Sequence, residues 1–571
     1  MQKETILELF DNHPIIEKSV AKFTVAQQQP YEARVQIFKT TNSGDRVSER
    51  QVNESLPSLL FNSQRYDLSR TGRYKLNMNL SVVPRIAGKV IAENIKDANG
   101  KVLVKAGTLI EAKQIEKLSA AIAENNVEYS TLQIDPALLN SVQIGEEKAK
   151  FHNLAHIVKV YQESNALKML ELGQEPTILK VIGNYHNDLT TLTISDIIAT
   201  FGKFINLEEG MGTYDDIDSM SNRKIKSVYE LLRNQFRMGL TKIQKNLRDR
   251  ISAKDTTGLE VKKVTNFKLM ESTLKEFFNS SQLSQFMDQI NPLAEISNKR
   301  RITSLGPGGL SRDTASLVVR GIHDTHYGRI DPIETPEGPN IGLILNLALY
   351  ARINEYGIIE TPYFKVKNSK IQKSNPIFLT SDEESIYTIA SGVVKTDAAG
   401  NITDKEVTAR RNTKFVSVSP EEVNLIDVSP KQMVSIASAH IPFLENDDAN
   451  RALMGANMQR QAVPLIKPDS PIVGTGIEQE SAKATTSSVK AKSDGTVVSV
   501  EGATIVVKHG TRLHTYNLSK FLRSNQESAI TQRPIVKEGQ KVKEGEIIAD
   551  GPSVDNGELA IGKNVVVAFT T

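Results

Sequence analysis

Two pairs of histidines are the first candidates for chemistry in this sequence. His323 and His326 form the motif H-D-T-H, and His152 and His156 are four residues apart. The first pair has no third ligand nearby and follows a loop pattern. The second lacks the glutamate of an HExxH zinc site, because Asn153 takes that place. We therefore interpret all four as structural or surface histidines.

Other patterns of catalysis and nucleotide binding are absent from the sequence. It has no G-x-x-x-x-G-K-[ST] phosphate loop, and GPGG at 306–309 lacks the spacing of a dinucleotide-binding fingerprint. It has no dense aspartate cluster of the kind that holds two magnesium ions, and no Ser/His/Asp arrangement stands out. The chain contains no cysteine, which excludes disulfides and thiolate metal sites and fits a cytoplasmic setting. The residues alone predict no reaction.

The segment IVKEGQKVKEGEIIADG (535–551) resembles the hairpin of biotinyl or lipoyl carrier domains. A carrier needs an exposed acceptor lysine at a defined position, and none can be assigned here. We prefer a sandwich-barrel without a prosthetic group. A carrier domain stays an alternative, and it predicts a mass increase from the attached group.

Length and composition indicate a folded protein of several units. A chain of 571 residues should form three to five packed units, because single cores stop growing beyond about 250–300 residues. No apolar run reaches the roughly 18–20 residues needed to cross a bilayer. The net charge is only +3, yet basic residues concentrate in 223–250 and 299–329. Such a distribution allows a basic channel inside a nearly neutral protein.

The periodicity of apolar residues predicts α and β segments in alternation. Residues 82–127 predict a strand near Val90, a second strand at 102–104 and a helix over 111–124. A long amphipathic helix is predicted over 222–250, and residues 260–305 are predicted to be helical again before GPGG interrupts them. Residues 485–571 are β-rich, with a turn at Glu501-Gly502.

Long blocks in a fixed order carry a resemblance to a known family. The sequence FFNSSQLSQFMDQINPLAEISNKRRITSLGPGGLSRD (277–313) resembles the rifamycin-binding and fork region of the β subunits of bacterial-type DNA-dependent RNA polymerases. The blocks at 323–363 and 441–464 are similar to the segments of that family that follow. Shorter blocks agree in order, and the resemblance spans most of the chain from residue 65 onward.

The resemblance implies a fold and a set of domains. The expected fold class is α+β multidomain, with lobe and protrusion α+β segments, a fork region, and a β-rich sandwich-barrel hybrid-type C-terminal region. It also implies that the N-terminal part and the C-terminal catalytic and clamp part of the family's subunit lie outside this chain. The expected domains are the remainder of the lobe at 1–210, a protrusion-like segment with the long basic helix at 211–275, the fork and rifamycin pocket at 276–345, an external β-rich domain at 346–440, and the start of the hybrid-binding domain with its sandwich-barrel at 441–571.

The resemblance also implies residues that contact the substrate. Arg451 matches the arginine that approaches the triphosphate of the incoming nucleotide, and a guanidinium suits this task because it stays ionised and offers a planar fork of donors. Asn457 and Gln461 match residues beside the nucleotide or the RNA end. Asp218 and Arg223 match a pocket for a non-template-strand guanine, although the same pair could instead cap the start of the long helix.

A wall that guides nascent RNA, and that rifamycins bind, is implied for a further set of residues. Its members are Gln285, Phe286, Asp288, Asn298, Arg301, Thr303, Leu305, Arg312, Pro336, Glu337, Asn340 and Ile344. This sequence has Asn298 where most members have histidine and Thr303 where most have serine. Asparagine loses the ring that packs on the drug, so we expect reduced rifamycin sensitivity, which tight inhibition of an assembled enzyme would contradict.

The expected function is therefore that of a component of an RNA polymerase, a nucleotidyltransferase that is inactive as this chain alone. Implied partners are the β′ subunit, the α dimer, the remaining β segments, ω and a σ-type factor, together with DNA, RNA and NTPs, and no membrane. No cofactor is expected on this chain, because the family holds Mg²⁺ through β′. The alternative is a non-catalytic docking fragment, or a split β piece that is active only in an assembly.

Overall fold

The computed structural model describes residues 3–22, 30–41, 48, 52, 60–62, 66–132, 134, 151–163, 165–212, 214–252, 265–412 and 414–570. The chain divides into two compact units, Met1–Ile217 and Asp218–Thr571. Both contain helices and sheets, so the expected α+β class is confirmed at this level. No helix within the described ranges is long and apolar enough to span a membrane.

The first unit combines short helices with antiparallel strands. Strands β3 (Ser130–Thr131), β4 (Leu154–Tyr161) and β5 (Ile178–Asn184) form one sheet in that order, and β1 (Ile95–Lys96) pairs with β2 (Val102–Val104). The predicted strand at 102–104 and the helix over 111–124 are confirmed as β2 and α6, whereas Val90 forms only an isolated bridge with Leu109. The helices and strands of this unit are α1 (Lys3–Leu9), α2 (Pro14–Ala21), α3 (Pro30–Thr41), α4 (Ser69–Leu80), α5 (Val82–Ile86), α6 (Ala112–Ala123), α7 (Ala166–Glu171), α8 (Ile194–Glu208), β1 (Ile95–Lys96), β2 (Val102–Val104), β3 (Ser130–Thr131), β4 (Leu154–Tyr161) and β5 (Ile178–Asn184).

A buried polar network holds α4 against the start of α8. Arg73 and Asp196 are 3% and 1% exposed and form an ion pair at 2.9 Å. Asn184 donates to Asp196 Oδ1 at 2.9 Å, and Thr193 and Asp196 form a capping box that starts α8. Because each buried charge has a partner and hydrogen bonds, the network is compatible with the surrounding apolar core. Arg73 therefore has a structural role within this unit.

In the second unit a pair of long helices precedes the sheets. Helix α9 (Val228–Ser252) packs on α10 (Lys268–Ser280), and the contact is tight at Gly239, where a Cβ would lie 2.6 Å from Met270 Sδ. The helix predicted over 222–250 begins later, at Val228, because Ile225 N donates to Gly357 O at 2.7 Å and holds the preceding backbone extended. The helices of this unit are α9 (Val228–Ser252), α10 (Lys268–Ser280), α11 (Pro292–Lys299), α12 (Leu317–Arg320), α13 (Ser381–Glu384), α14 (Ile436–Ala439), α15 (Ala449–Gln459) and α16 (Glu478–Ala484), with 3₁₀ turns at Asp324–His326, Pro430–Met433 and Leu444–Asn446.

The prediction that residues 260–305 are helical is only partly right. Residues 253–264 lie outside the described residues, and α10 and α11 account for part of the remainder. The segment 281–291 is not helical. Its Gln289 exchanges backbone-to-side-chain hydrogen bonds with Asn525 and Gln526 at 3.1 and 2.6 Å, and this pairing with a distant hairpin overrides local helix propensity.

The sheets of the second unit form two groups. A seven-stranded sheet has the order β10-β9-β14-β11-β12-β13, with β8 also paired to β9. Farther along, the sheets β15-β23-β21 and β18-β17-β16-β22 share one apolar core. The strands are β6 (Arg301–Thr303), β7 (Ile344–Asn346), β8 (Arg352–Ile353), β9 (Ile359–Lys367), β10 (Lys370–Leu379), β11 (Thr388–Ala390), β12 (Val407–Arg411), β13 (Lys414–Val418), β14 (Leu425–Asp427), β15 (Val489–Lys490), β16 (Gly495–Val500), β17 (Thr504–His509), β18 (Arg512–Asn517), β19 (Leu522–Arg523), β20 (Ala529–Ile530), β21 (Arg533–Pro534), β22 (Lys541–Val542), β23 (Ile547–Asp550), β24 (Val554–Asp555) and β25 (Glu558–Leu559).

Candidate functional site

A short strand pair brings together several of the residues that the sequence singled out. In the antiparallel pair of β6 and β7, Arg301 lies opposite Asn346 and Thr303 lies opposite Ile344. Leu305 follows β6 and is buried, and its N–H donates to Thr303 Oγ1 at 3.1 Å. Arg301, Thr303, Leu305 and Ile344 therefore belong to one local structure.

The GPGG segment makes a tight loop directly after this strand pair. Gly306 and Gly308 have φ values of +107° and +75°, which residues with a Cβ rarely adopt. At Gly309 a Cβ would lie 2.4 Å from Ser304 O. Leu310 N donates to the same Ser304 oxygen at 2.9 Å and closes the loop. The glycines are therefore required by the fold of the loop itself.

The segment that precedes α11 carries an exposed aromatic residue on a fixed backbone. Phe286 is 89% exposed, and Gln285 beside it is also exposed. Asn525 Nδ2 donates to Met287 O at 2.9 Å and fixes the backbone. Asp288 Oδ1 is buried and accepts no hydrogen bond from the part of the chain that the structure describes. An unpartnered acceptor of this kind is costly unless another group meets it.

Helix α11 is held at its start by Asn291. This side chain is 2% exposed, and its Oδ1 accepts from Ala294 N at 2.8 Å as an N-cap. Its Nδ2 donates to carbonyls that follow α15, including Ala462 O at 2.9 Å. One asparagine thus joins the start of α11 to the end of α15. Asn298 lies in the last turn of α11 and is half-buried.

The turn before β7 positions the remaining wall residues. Thr335 Oγ1 accepts from Gly342 N at 3.0 Å and donates to Ile344 O at 3.0 Å. Arg312 Nε donates to Asn340 Oδ1 at 2.7 Å. Pro336 and Glu337 lie in the same turn, where Pro336 is half-buried and Glu337 is exposed. The structure therefore brings Arg312 and Asn340 into direct contact and places the other two residues beside them.

Helix α15 carries two of the three predicted substrate residues, the third follows its end, and the three differ in their surroundings. Asn457 is half-buried, and its Nδ2 donates to Thr335 O at 3.0 Å. Arg451 is exposed in the first turns of the helix, with one NH1 contact of 3.6 Å to Met454 Sδ. Gln461 is exposed just beyond the helix end. Asn457 thus contacts the turn that contains Thr335. Arg451 lies six residues earlier, about 9 Å away along the helix axis.

Charged groups behind the strand pair influence one another. Burial lowers the pKa of Arg301 and the positive charge of Arg460 lowers it further, while Asp288 and Glu334 act in the opposite direction. Glu334 is 1% exposed, and burial raises the pKa of its carboxyl. Arg460 Nε lies 3.3 Å from Glu334 Oε1. The wall is therefore backed by two arginines and two carboxyl groups in a largely buried setting.

Asp218 and Arg223 lie apart from this group, on the segment before α9. Met220 N donates to Thr325 Oγ1 at 3.0 Å, which fixes this segment against the 3₁₀ turn at Asp324–His326. Burial lowers the pKa of His326 to about 4, and the charge of Arg223 lowers it further. No group of three His, Cys, Asp or Glu side chains in the described ranges is arranged to hold a metal ion.

Sequence reasoning missed a second cluster, around a cavity of about 240 Å³. Arg329 NH2 donates to Glu384 Oε2 at 2.6 Å, and Arg410 NH1 donates to Glu384 Oε1 at 3.0 Å. Arg410 also pairs with Asp427 at 3.2 Å, and Tyr327 OH donates to Asp427 Oδ2 at 2.7 Å. These residues are spread over a hundred positions of sequence and follow no local pattern.

Comparison with known proteins places these elements in a family. Three family models match: RNA polymerase Rpb2, domain 3, at 285–353; the RNA polymerase beta subunit external 1 domain at 363–429; and RNA polymerase Rpb2, domain 6, at 490–571. The whole chain is 46% identical to the DNA-directed RNA polymerase subunit beta of Mycoplasma capricolum subsp. capricolum and 46% identical to that of Mesoplasma florum, covering 43% of each. It is 44% identical to that of Spiroplasma citri, over 42% of its length.

The chain belongs to the RNA polymerase β-subunit family. It spans less than half the length of the relatives named above. The wall residues, from Gln285 to Ile344, lie within the match to Rpb2 domain 3. Arg451, Asn457 and Gln461 fall between the matched domains, within the identity that covers the whole chain.

Proposed function

We propose that this chain acts in DNA-dependent RNA synthesis, as the part of a polymerase β subunit that contacts the incoming nucleotide and the nascent RNA. One observation carries the proposal. The contact from Asn457 Nδ2 to Thr335 O joins the helix with the predicted nucleotide residues to the turn with the predicted RNA residues. A single rigid wall would let one segment hold the substrate while the other guides the product.

Arg451 has the surroundings that a triphosphate ligand requires. Its guanidinium is exposed at the first turns of α15, and its one described polar contact is the long one to Met454 sulfur. A planar, permanently charged fork in this position can offer paired donors to phosphate oxygens. Gln461 and Asn457 follow on the same helix or just beyond it, so we assign them to the nucleotide or the RNA 3′ end.

The wall formed by β6, β7 and the Thr335 turn has the features of an RNA contact surface. Arg301 and Arg312 supply positive charge for phosphates, and polar side chains such as Gln285 and Asn340 can orient the strand. Exposed Phe286 offers a face on which a base or a drug ring can stack. We assign the rifamycin pocket to the same wall, with Asn298 and Thr303 as its departures from the family pattern.

The domain assignments and partners follow from the same proposal. We assign 1–210 to the lobe, 211–275 to a protrusion-like segment, 276–345 to the fork, 346–440 to the external domain and 441–571 to the hybrid-binding region. Asp218 and Arg223 are proposed to read a guanine of the non-template strand. Mg²⁺ would be held by β′, and the α dimer, ω, a σ-type factor and the remaining β segments would complete a cytoplasmic enzyme.

Two other functions remain distinguishable from this one. A non-catalytic docking piece would assemble with the other subunits without touching substrate or RNA. A carrier domain at 535–551 would gain mass from a prosthetic group, and the match of 490–571 to Rpb2 domain 6 favours the polymerase assignment over it.

The test is photocrosslinking in an elongation complex whose β subunit contains residues 1–571. A photoreactive nucleotide at the RNA 3′ end should label the segment 451–461. A complex that synthesises RNA without labelling this segment would overturn the proposed substrate contact and favour the docking alternative.

A further inference from the structure

A network of buried polar contacts lies behind the proposed nucleotide helix, α15. Asp331 Oδ2 accepts from Ser435 N at 2.9 Å and from Ser438 Oγ at 2.5 Å. Ser435 Oγ donates to Glu334 Oε2. All four residues are at most 2% exposed. This network, which is buried from solvent, therefore connects the start of α14 to the turn that precedes β7.

The same network extends to α15 through the guanidinium of Arg460. Arg460 Nε lies 3.3 Å from Glu334 Oε1, and Arg460 NH2 donates to Asn457 Oδ1. The other end of the Asn457 amide donates to Thr335 O at 3.0 Å. Arg460 is only a donor and a carbonyl is only an acceptor, so the two contacts together permit a single orientation of the amide.

We propose that Arg460 is a positioning residue for nucleotide addition, which orients the Asn457 amide while Glu334 fixes the guanidinium. This role rests on the proposed function, in which Asn457 lies beside the nucleotide or the RNA 3′ end. The guanidinium serves two partners at once: it forms an ion pair with Glu334, without a hydrogen bond between Nε and Oε1, and its NH2 donates to Asn457. Lysine offers one compact ammonium and cannot reproduce that geometry, although it keeps the charge that Glu334 requires.

The half-buried charge of Arg460 also has an electrostatic role. Burial raises the pKa of Glu334, so its carboxylate depends on a nearby cation. Arg460 supplies that cation, and its effect extends to Arg301, whose pKa it lowers. Glu334 and Arg460 therefore link the electrostatics of the RNA wall to the orientation of a side chain on the nucleotide helix.

The test measures KM and kcat for single-nucleotide addition by an assembled polymerase whose β subunit contains residues 1–571. The variants are Arg460→Lys, Asn457→Ala and their combination. The control is Arg411→Lys, because Arg411 pairs with Glu422 at the surface, where the two side chains are 52% and 54% exposed. If Arg460→Lys fails to assemble, Glu334→Gln removes the anchor of the guanidinium and serves as the second variant.

We expect Arg460→Lys and Asn457→Ala each to raise the KM for NTP about tenfold, the size of one hydrogen bond to a charged group. The value of kcat should stay within about twofold, because an interaction made equally in the ground state and the transition state affects KM alone. The double variant should be no worse than the more affected single variant, since both changes remove the same contact. The control should match the unsubstituted enzyme.

Three results would overturn the inference, and they are distinguishable. An unchanged KM in Arg460→Lys, with a raised KM in Asn457→Ala, would remove the positioning role and leave the substrate contact intact. Effects that multiply in the double variant would show that Arg460 acts independently of Asn457. An unchanged KM in Asn457→Ala would overturn the proposed contact of Asn457 itself, and the positioning role with it.

Discussion

The substitution Glu384→Gln should destabilise the region of the seven-stranded sheet more than the removal of a surface ion pair would. Glu384 accepts from Arg329 at 2.6 Å and from Arg410 at 3.0 Å, and the three side chains are 12%, 1% and 14% exposed. Glutamine retains one carbonyl acceptor and places an NH₂ group against the other guanidinium. One of the two arginines therefore loses its ionic contact with Glu384 in a largely buried site.

The expected cost follows from these contacts. A hydrogen bond to a charged group contributes roughly 1.5–3 kcal/mol, and breaking a buried ion pair costs about 3–5 kcal/mol. Arg410 keeps Asp427 at 3.2 Å, which moderates the loss at that residue. Among the residues that the structure describes, Arg329 then keeps neutral carbonyl acceptors alone, such as Leu379 O at 3.1 Å. We therefore expect a loss of about 3 kcal/mol in the free energy of local opening.

Hydrogen exchange measured by mass spectrometry can report local opening of this sheet. The chain has no tryptophan whose fluorescence could report unfolding, and its two units need not unfold together. Amides in β11 and β12 that open with the sheet should exchange about a hundredfold faster, since each 1.4 kcal/mol corresponds to a factor of ten. The matched control is Glu422→Gln, which removes the exposed partner of Arg411. It should change the free energy of local opening by less than about 1 kcal/mol. Equal exchange in the two variants would refute the argument that burial makes the Glu384 contacts important.

Two further predictions concern pH and drug binding. Burial lowers the pKa of His152 to about 4 and also lowers that of His156, so the unfolded state binds more protons between about pH 4 and 6.5, and the first unit should lose stability as pH falls through that window. The measurement is the free energy of opening of β4 and β5, from hydrogen exchange corrected for the pH dependence of the intrinsic exchange rate; equal values at pH 7 and pH 5 would contradict this. An assembled polymerase with this sequence should be inhibited only weakly by rifamycins, and Asn298→His should restore inhibition through the ring that packs on the drug; tight inhibition of the unsubstituted enzyme would disprove the expectation.

Local patterns predicted several elements well. The helix predicted over 111–124 is present at Ala112–Ala123, and the turn at Glu501-Gly502 lies between β16 and β17. Both depend on periodicity and turn chemistry that act within about ten residues. The helix predicted over 260–305 is wrong across 281–291, because hydrogen bonds from a hairpin more than two hundred residues away decide that backbone.

The sequence nominates the residues of the candidate site, which stay a prediction, but it gives no information on how they connect. The family resemblance pointed to Arg301 and the other wall residues, and to Asn457 as a substrate residue, by their matching blocks. It gave no indication that Asn457 contacts Thr335, or that Ser435 holds Glu334 from 101 positions away. Such contacts arise from packing of distant segments, and a single sequence carries no local signal for them.

The most direct test of the account is where nascent RNA contacts this chain in an active elongation complex. Photoreactive nucleotides placed singly at the RNA 3′ end, and then two to four positions upstream, would be crosslinked and the labelled peptides mapped. We predict that the 3′-end probe labels 451–461 and that the upstream probes label 285–288 and 301–305. If no probe labels any of these three segments in a complex that extends RNA, the assignment of this region to substrate and product is contradicted.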